Sequence, residues 1–330
     1  MIICRTPFRV SFVGGGSDLK SFYKHEPGCV ISTSIDKYMY LSMHKYFHDN
    51  QSIIKYSSTE KISSIDEIKH DIIREVFRLF SIKNVDFNSI ADIPAGTGMA
   101  SSSAFTVALI NLCSTYLGHK LPNHELAKLA CEIEIEILKE PIGKQDQYGC
   151  ALGGLNFIQF NPDDSVEVKP IFLSNQKINM MNDNLLLFYT NIDRSASKIL
   201  KDQNKNTIES KSHRDNLRRM TFLTKEMYNE FLKGNVNSLG HFLNESWKLK
   251  QSMSSKISNQ HINDIYKIAM NNGADGGKLL GAGGGGFFLF YCEKEKQEKL
   301  RKSLLKFKEL KFNFDYEGSS IIFNDNKNEK

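Results

Sequence analysis

The sequence predicts an α+β protein built from two domains. Its 330 residues exceed the roughly 100–200 residues that are usual for one domain. Strand and helix patterns are mixed along the chain without the strict strand–helix–strand order of a parallel sheet. A polar segment, 162–184, separates two more apolar parts, so we expect one domain over 1–172 and a second over 173–330.

The first third of the chain is predicted to be rich in strands. Segments rich in β-branched and aromatic residues predict strands at 2–14, 29–35, 38–47, 51–58 and 84–93. Ahead of the last of these, isoleucine, valine and phenylalanine recur at helical spacing and predict a helix over 65–80.

The middle of the chain is predicted to be helical. A serine cluster opens the segment 101–118 and a glycine closes it, which are ordinary start and stop signals of a helix. A second helix is expected over 124–140, where a proline follows. A short segment, 143–154, then leads into a strand over 155–161.

The second domain is predicted to open with a strand over 185–190. Helical patterns follow to about residue 272, and a glycine-rich segment precedes a strand over 287–292. The remaining elements are a helix and two strands, at 294–308, 312–317 and 319–324.

Composition excludes several classes of protein. Lys plus Arg is 43 and Asp plus Glu is 38, and a net charge of +5 is too small for the basic surface of a nucleic-acid binder. Apolar runs are far shorter than the roughly 18 residues of a membrane helix, and Arg5 and Arg9 interrupt any signal sequence. The six cysteines form no CxxC pair and no zinc spacing. We expect a cytoplasmic protein with reduced thiols that binds neither membrane nor nucleic acid.

Three glycine-rich loops, each joined to an apolar element, suggest close backbone approach to a ligand. They are VGGGSD (13–18), PAGTGMASSSA (94–104) and GAGGGG (281–286). The third loop contains a GxGxxG pattern, but a strand follows it, so the dinucleotide-binding interpretation fails. No GxxxxGK[ST] phosphate loop occurs in the chain.

The second loop has the chemistry of a phosphate site. Gly96 and Gly98 precede three serines, Ser101 to Ser103, that open a helix. Free N–H groups at a helix start attract a phosphate, and a serine hydroxyl there is able to bind magnesium. From the loop alone, an ordinary serine cap after a flexible loop remains an equal alternative.

Two acidic residues are candidates for metal-dependent phosphoryl transfer. That reaction needs a carboxylate for magnesium and usually another near the attacking hydroxyl. Glu134 is one candidate, although Glu132 and Glu136 flank it and a solvated helix face is the competing interpretation. Asp146 stands between two glutamines in GKQDQYG (143–149), which is harder to explain as a solvated face.

The three loops together resemble the ordered motifs of the GHMP small-molecule kinases, which include galactokinase and the homoserine, mevalonate and phosphomevalonate kinases. The matching segments are PFRVSFVGGGSD (7–18), PAGTGMASSSA (94–104) and KLLGAGGGGFF (278–288), and GKQDQYG is similar to the segment that carries the catalytic aspartate. The resemblance implies a two-domain GHMP kinase fold with the active site in the cleft between the domains.

The resemblance also implies roles for single residues. Asp146 matches the general base, Arg9 the basic residue beside it, and Glu134 and Ser102 the magnesium ligands. Asp18 matches the acidic residue that holds sugar hydroxyls. The residues expected to bind ATP are Gly96, Thr97, Gly98, Met99, Ala100, Ser101, Ser102 and Ser103. The residues expected to bind the sugar beside Asp18 are Gly15, Gly16, Ser17, Gly283 and Gly284.

Departures from the family pattern reduce the number of substrates that the resemblance implies. The first motif reads GGGSD where galactokinases carry a Gly-Glu-His run, and Ala100 stands where the family usually has glycine. The chain is similar instead to the heptose-phosphate kinase and fucokinase branch, and within it to D-glycero-D-manno-heptose 7-phosphate kinases. The implied reaction is ATP- and magnesium-dependent phosphorylation of the anomeric hydroxyl. The implied product is a 1,7-bisphosphate that feeds nucleotide-activated heptose synthesis for surface polysaccharide.

Three alternatives to that substrate or activity are a fucokinase-like or other sugar 1-kinase, a non-catalytic sugar sensor on the same fold, and an RNA-binding protein. A sensor would be expected to lack a catalytic carboxylate, yet Asp146 and Glu134 are both present. The small net charge argues against RNA binding. A monomer and a homodimer both remain open.

A basic stretch offers a contact for the substrate phosphate. The segment 194–219 has eight Lys or Arg against three Asp or Glu, and a solvated helix face is the simpler interpretation. Arg194 follows a predicted strand, so we assign it as the candidate that holds the sugar phosphate.

Overall fold

The computed structural model describes residues 1–193, 197–254 and 256–325. It confirms the α+β class, with two antiparallel-rich sheets and helices packed on them. In chain order the strands are β1 (Ile2–Val13), β2 (Gly28–Lys45), β3 (Ser52–Lys55), β4 (Thr59–Ile62), β5 (Val85–Ala91), β6 (Leu155–Phe160), β7 (Val166–Pro170), β8 (Leu185–Tyr189), β9 (Gly276–Leu279), β10 (Phe287–Tyr291), β11 (Glu309–Leu310), β12 (Phe314–Asp315) and β13 (Ser320–Asn324).

The helices of the described residues occupy both halves of the chain. They are α1 (Lys20–Tyr23), α2 (Asp71–Phe80), α3 (Ser101–Tyr116), α4 (Asn123–Cys131), α5 (Gln145–Leu152), α6 (Asn175–Asn184), α7 (Ser197–Glu209), α8 (Lys211–Leu232), α9 (Leu239–Gln251), α10 (Gln260–Asn271) and α11 (Gln297–Ser303). None of these helices has the length and apolar character needed to cross a membrane.

Within the described residues, the first sheet has nine strands and the second has four. The main path of the first sheet is β13-β1-β2-β5-β3-β4, and β6 and β12 also pair with β2. The second sheet runs β11-β8-β10-β9. All pairs are antiparallel except β3 with β5.

The two strands predicted at 29–35 and 38–47 form one long strand, β2. The sequence signal breaks at Asp36 and Lys37 because the register between β1 and β2 shifts there, from Pro7 opposite Tyr38 to Phe8 opposite Ile35. Such a bulge bends a strand without ending it.

A large part of the hydrophobic core forms around α3. Nearly every side chain of this helix from Ser103 to Ser114 is buried, including its polar ones. The helix contacts β1, β2 and the three helices α2, α4 and α5. A helix that is covered on all sides holds its first turn rigidly, and that turn follows directly after the second glycine loop.

The predicted helix 124–140 changes geometry halfway. It is α-helical to Cys131, and residues 132–137 form a wider π-helical turn. This turn buries Glu134 completely while Glu132 and Glu136 remain exposed. Of the three glutamates that alternate along this segment, the π-turn therefore buries only Glu134.

The end of the chain returns to the first sheet. β12 pairs with β2 through Phe314 opposite Ile35, and β13 pairs with the beginning of β1. The helix expected over 294–308 is shorter, α11 being Gln297–Ser303 after a single 3₁₀ turn. The proposed division into 1–172 and 173–330 stays a prediction, and residues 314–324 add strands to the sheet of the first segment.

Candidate active site

A cleft of about 710 Å³ opens where the three glycine loops meet. Each loop contributes part of its lining. The loop residues that line the cleft are Gly15, Gly16 and Asp18 from the first loop, Ala95, Gly96, Gly98 and Ala100 to Ser103 from the second, and Gly281 and Ala282 from the third.

The second and third loops pack backbone against backbone. A Cβ atom added to Gly98 would lie 2.7 Å from the carbonyl oxygen of Leu280, and one added to Gly281 would lie 2.5 Å from the Cα of Gly98. The N–H of Phe287 also donates to the carbonyl of Thr97 over 3.2 Å. Side chains at these two glycines would separate the loops, so both positions require glycine.

Arg9 links the predicted base to the second loop. Its Nε and Nη2 donate to Oδ1 of Asp146 over 2.9 and 2.7 Å, and its Nη1 donates to the carbonyl of Gly98 over 3.0 Å. The Arg9 side chain is buried, whereas Asp146 is partly open to the cleft. This ion pair places a carboxylate at the cleft in a fixed orientation.

Asp146 lies in the first turn of α5, a helix that the sequence analysis did not predict. The positive end of a helix favours a carboxylate in its first turn. Gly149 in the same helix lies against β1, because a Cβ there would be 3.1 Å from Cγ of Arg9. Close packing of α5 on β1 thus brings Asp146 to Arg9.

Glu134 is held by three side-chain donors. Ser102 donates to Oε1, and Ser103 and Gln147 donate to Oε2 over 2.9 and 2.7 Å. Burial raises the pKa of Glu134, its hydrogen bonds to Ser102, Gln147 and Ser103 oppose the rise, and the charge of Asp146 adds to it. The interpretation of Glu134 as part of a solvated face is therefore wrong.

Ser102 and Glu134 offer the hard oxygen ligands that magnesium prefers. Ser102 lines the cleft, whereas Glu134 is fully buried outside the cleft lining and accepts the hydrogen bond of the Ser102 hydroxyl. A magnesium ion bound to both residues would take the place of the hydrogen bond between them. Rotation of the Ser102 hydroxyl would break that hydrogen bond and leave its oxygen free to bind the ion. The donor set fits the ion.

The beginning of α3 has the unfilled polar groups of an anion site. The helix has no side-chain cap, because Ala100 occupies the N-cap position in a left-handed conformation with φ +66°. The Ser101 hydroxyl is buried and has no hydrogen-bond partner among the described residues. Free N–H groups and this hydroxyl both suit a phosphate at the helix start.

Asp18 is buried between the first loop and α5. Its Oδ1 accepts from the N–H of Gly16 over 2.9 Å and from Nε2 of Gln145 over 3.1 Å. Burial, and then the charge of Asp146, raise the pKa of Asp18 to about 6. The residue lines the cleft, yet its carboxylate already serves the protein's own donors.

Several residues predicted to contact ligands lie outside the cleft lining. Thr97 and Met99 are buried, and Ser17 is buried with its hydroxyl donating to the carbonyl of Gly14 over 2.8 Å. Gly283 and Gly284 lie against Ile257, whose carbonyl accepts from the Gly284 N–H over 2.7 Å. In this conformation Gly281 and Ala282 are the cleft residues of their loop. The assignments stay predictions, and Arg194 lies outside the described residues.

The cleft extends beyond α3 into an apolar end that sequence analysis missed. Met39, Ile72 and Phe105 line it, and the ring of His70 stacks on Phe105 with centroids 5.2 Å apart. Burial lowers the pKa of His70, and its Nδ1 is buried without a partner among the described residues. No sequence motif marks this end because its residues come from β2, α2 and α3.

Lys278 is a second buried cation that sequence analysis did not single out. It lies on β9, and its Nζ donates to the carbonyl of Phe12 on β1 over 2.9 Å. Burial and then the charge of Arg9 lower the pKa of Lys278 to about 7. The hydrogen bond joins the second sheet to the strand that carries Arg9.

Two family profiles match the chain. Residues 67–154 match the GHMP kinases N terminal domain, and residues 227–309 match the GHMP kinases C terminal domain. The first matched range contains the second glycine loop, Glu134 and Asp146, and the second contains the third glycine loop.

Known proteins resemble the chain over nearly its whole length. It is 30% identical over 316 residues to the D-glycero-alpha-D-manno-heptose 7-phosphate kinase of Campylobacter jejuni, with 92% of each chain covered. It is 26% identical to the bifunctional fucokinase/GDP-fucose pyrophosphorylase of Arabidopsis thaliana over 90% of this chain and 30% of that protein. A solved D-glycero-D-manno-heptose 1-phosphate kinase from Bacteroides thetaiotaomicron shares the fold, with a TM-score of 0.80, 22% identity, and 98% and 99% coverage.

Proposed function

Because the chain belongs to the GHMP kinase family and is a sugar kinase of that family, we propose that it phosphorylates the anomeric hydroxyl of D-glycero-D-manno-heptose 7-phosphate. Kinases of this family use ATP as the phosphoryl donor. The observation that carries the proposal is the 30% identity to a heptose 7-phosphate kinase over 92% of the chain. The product would be a 1,7-bisphosphate for the synthesis of nucleotide-activated heptose and surface polysaccharide.

We assign the two ends of the cleft to the two substrates. The triphosphate would lie along Gly96 to Ser103, where free N–H groups and the Ser101 hydroxyl are available. The nucleobase would then occupy the apolar end beside His70 and Phe105, one helical turn further along α3. The sugar would occupy the opposite end, beside Asp18 and Asp146.

We propose that Ser102 and Glu134 hold the magnesium ion of the reaction. A bound magnesium ion neutralises phosphate charge and orients the phosphoryl group. The chain itself would align the Ser102 and Glu134 oxygens, because Gln147 and Ser103 hold the Glu134 carboxylate through hydrogen bonds to its Oε2.

Asp146 is the proposed base. Its carboxylate would accept a hydrogen bond from the anomeric hydroxyl and take its proton as the hydroxyl oxygen bonds to the γ-phosphorus of ATP. The bond from that phosphorus to the β–γ bridging oxygen would break in the same step, and ADP would leave. Arg9 holds Asp146 in place through two hydrogen bonds and supplies positive charge near the transferred group. Its third hydrogen bond, to Gly98, fixes the distance between the base and the phosphate loop.

A coupled ADP-release assay tests the substrate. We expect kcat/KM to be highest with heptose 7-phosphate and lower by about 10²–10⁴ with the free heptose, because two charge-assisted contacts to the distal phosphate would be lost. Fucose and galactose serve as the other substrates. If kcat/KM for free heptose or fucose equalled that for heptose 7-phosphate, the substrate assignment would be overturned.

A fucokinase-like activity is the second candidate, since the fucokinase of Arabidopsis thaliana matches 90% of the chain. The same assay distinguishes it by turnover of free fucose. A non-catalytic sensor would bind the sugar without releasing ADP. The cytoplasmic location, and the choice between a monomer and a homodimer, remain predictions.

A further inference from the structure

The side-chain amide of Gln145 contacts Asp18 at the sugar end of the cleft. Gln145 is the first residue of α5 and the direct neighbour of Asp146. Its Nε2 donates to Oδ1 of Asp18 over 3.1 Å, and its backbone N–H approaches Oδ2 of the same carboxylate at 3.4 Å. Gln145 and Asp18 both line the cleft.

The contact with Asp18 determines which way the amide points. An ionised carboxylate only accepts hydrogen bonds, so the NH₂ group of Gln145 has to face it. A pKa of about 6 leaves Asp18 mainly ionised at neutral pH. The amide oxygen, Oε1, must therefore point away from Asp18.

Oε1 of Gln145 has no hydrogen-bond donor within the described part of the chain. It is buried and accepts no hydrogen bond from the described residues. A buried acceptor without a partner is costly, and a ligand that supplies the missing donor recovers that cost. By contrast, both oxygens of Asp18 already have donors from Gly16 and Gln145.

Gly15 is the part of the first loop that lies against this amide. A Cβ atom added to Gly15 would lie 3.6 Å from Nε2 and 4.0 Å from Oε1, which is ordinary van der Waals contact. Gly15, Gly16 and Gln145 all line the cleft, so a ligand bound there would lie next to this amide.

We propose that Gln145 is a specificity-determining residue whose Oε1 accepts a hydrogen bond from one hydroxyl of the bound sugar. Asp18, in this arrangement, is a positioning residue that holds the amide. The inference rests on the proposed sugar kinase function, because the hydroxyl groups of a bound sugar would supply such a donor at this end of the cleft.

The test combines a variant enzyme with deoxy sugars. Gln145→Met keeps the length of the side chain and removes the amide. In the wild type, we expect one monodeoxy analogue of the sugar to lose about 10-fold to 100-fold in kcat/KM, because Oε1 stays unpaired. In Gln145→Met, kcat/KM should be equal for that analogue and the parent sugar. For each of the other analogues, the ratio of its kcat/KM to that of the parent sugar should remain as in the wild type. The KM for ATP should change by less than about 2-fold.

Gln159→Met is the matched control. Gln159 is a half-buried glutamine whose amide donates to Asn161 outside the cleft lining, so all ratios should remain those of the wild type. If Gln145→Met lowered activity equally for every sugar and kept all ratios, the role of Gln145 would be structural and the inference overturned.

Gly15→Ala supplies a second variant that fits the available space. The added methyl group would lie in front of the Gln145 amide, so the KM for sugar should rise about 10-fold with the KM for ATP unchanged. An unchanged KM for sugar would count against the inference. If the wild type uses another sugar than heptose 7-phosphate, the substrate proposal fails and Gln145 is tested with deoxy analogues of that sugar. If the protein phosphorylated no sugar at all, both the proposed function and the inference about Gln145 would be overturned.

Discussion

At the scale of single residues, the site depends on carboxylates that differ in burial. Asp146 is partly exposed and paired with Arg9, Glu134 is fully buried among neutral donors, and Asp18 is buried beside the first loop. Burial without a cation raises the pKa of Glu134 and of Asp18. Asp146 is the one of the three that lines the cleft with a fixed cation beside it, which is why we propose it as the base.

Replacing Asp146 by asparagine should abolish most turnover. Asp146→Asn keeps the shape and removes the charge, so we expect kcat to fall by about 10²–10⁴, the usual range for removal of a general base. The affinity for ATP, measured by equilibrium binding, should remain near that of the wild type. Asp163→Asn, at an exposed turn, is the control. A kcat within a few-fold of the wild type would show that Asp146 is not the base.

Replacing Glu134 by glutamine should raise the requirement for magnesium. We expect the magnesium concentration at half-maximal rate to rise by at least about 10-fold to 100-fold, because the loss of a group that only orients a metal ligand already costs that much. Glu132→Gln and Glu136→Gln are the matched controls, because both side chains are exposed on the same turn. Equal effects of all three substitutions would contradict the assignment.

At the scale of elements, the second glycine loop and α3 act as one unit. The loop needs positive φ angles at Gly96, Gly98 and Ala100, and the helix that follows is buried almost all round. Packing on all sides fixes the position of the helix, and we propose that the loop and the first turn together bring backbone N–H groups to a phosphate.

Gly98→Ala should weaken the use of ATP, because its Cβ would meet the carbonyl of Leu280 at 2.7 Å and push the loops apart. We expect KM for ATP to rise by about 10-fold or more. Gly118→Ala is a matched control, since Gly118 has the same φ of +82° and nothing within 4 Å of an added Cβ. That variant should lose about 1 kcal/mol of stability and keep its KM for ATP. If KM for ATP rose equally in both variants, the role that we assign to the contact between Gly98 and Leu280 would be wrong.

Ala100→Gly should stabilise the protein. Alanine at φ +66° is strained, so glycine should raise the free energy of unfolding in urea by about 1 kcal/mol. Ala104→Gly, in the interior of α3, should lower the same quantity by about 1 kcal/mol or more. A destabilised Ala100→Gly variant would show that the left-handed conformation carries no strain here.

At the scale of the whole molecule, the two sheets are joined by a direct hydrogen bond between β9 and β1. The Lys278 ammonium on β9 reaches the Phe12 carbonyl on β1, and β12 and β13 bring the end of the chain into the first sheet. Relative movement of the sheets would therefore displace Arg9 and the first glycine loop together.

The buried charge of Lys278 predicts a dependence of stability on pH. Its pKa is about 7 in the folded chain, with Arg9 as the charged neighbour, and 10.5 when unperturbed. Between these values the unfolded chain binds more protons, so stability should rise as pH increases from about 7 towards 10. Lys278→Met should flatten that rise in urea titrations at several pH values. An unchanged slope would show that Lys278 does not titrate in this range.

The sequence by itself determined the α+β class, the three glycine loops and the kinase family, because glycine patterns and apolar periodicity are local properties of the chain. It also placed Asp146, Arg9, Glu134 and Ser102 in named roles through the family resemblance. The structure brings these four residues into two hydrogen-bonded pairs at one cleft.

Only the tertiary structure decided which polar groups have partners. Three glutamates alternate along residues 132–137, and the π-turn, with donors from α3 and α5, is what buries Glu134 alone. The return of β12 and β13 and the His70 end of the cleft likewise depend on residues far apart in the chain. So does the environment of the Gln145 oxygen, which finds no donor among the residues that the structure describes. Burial and hydrogen bonding are properties of such distant neighbours, and no local pattern encodes them.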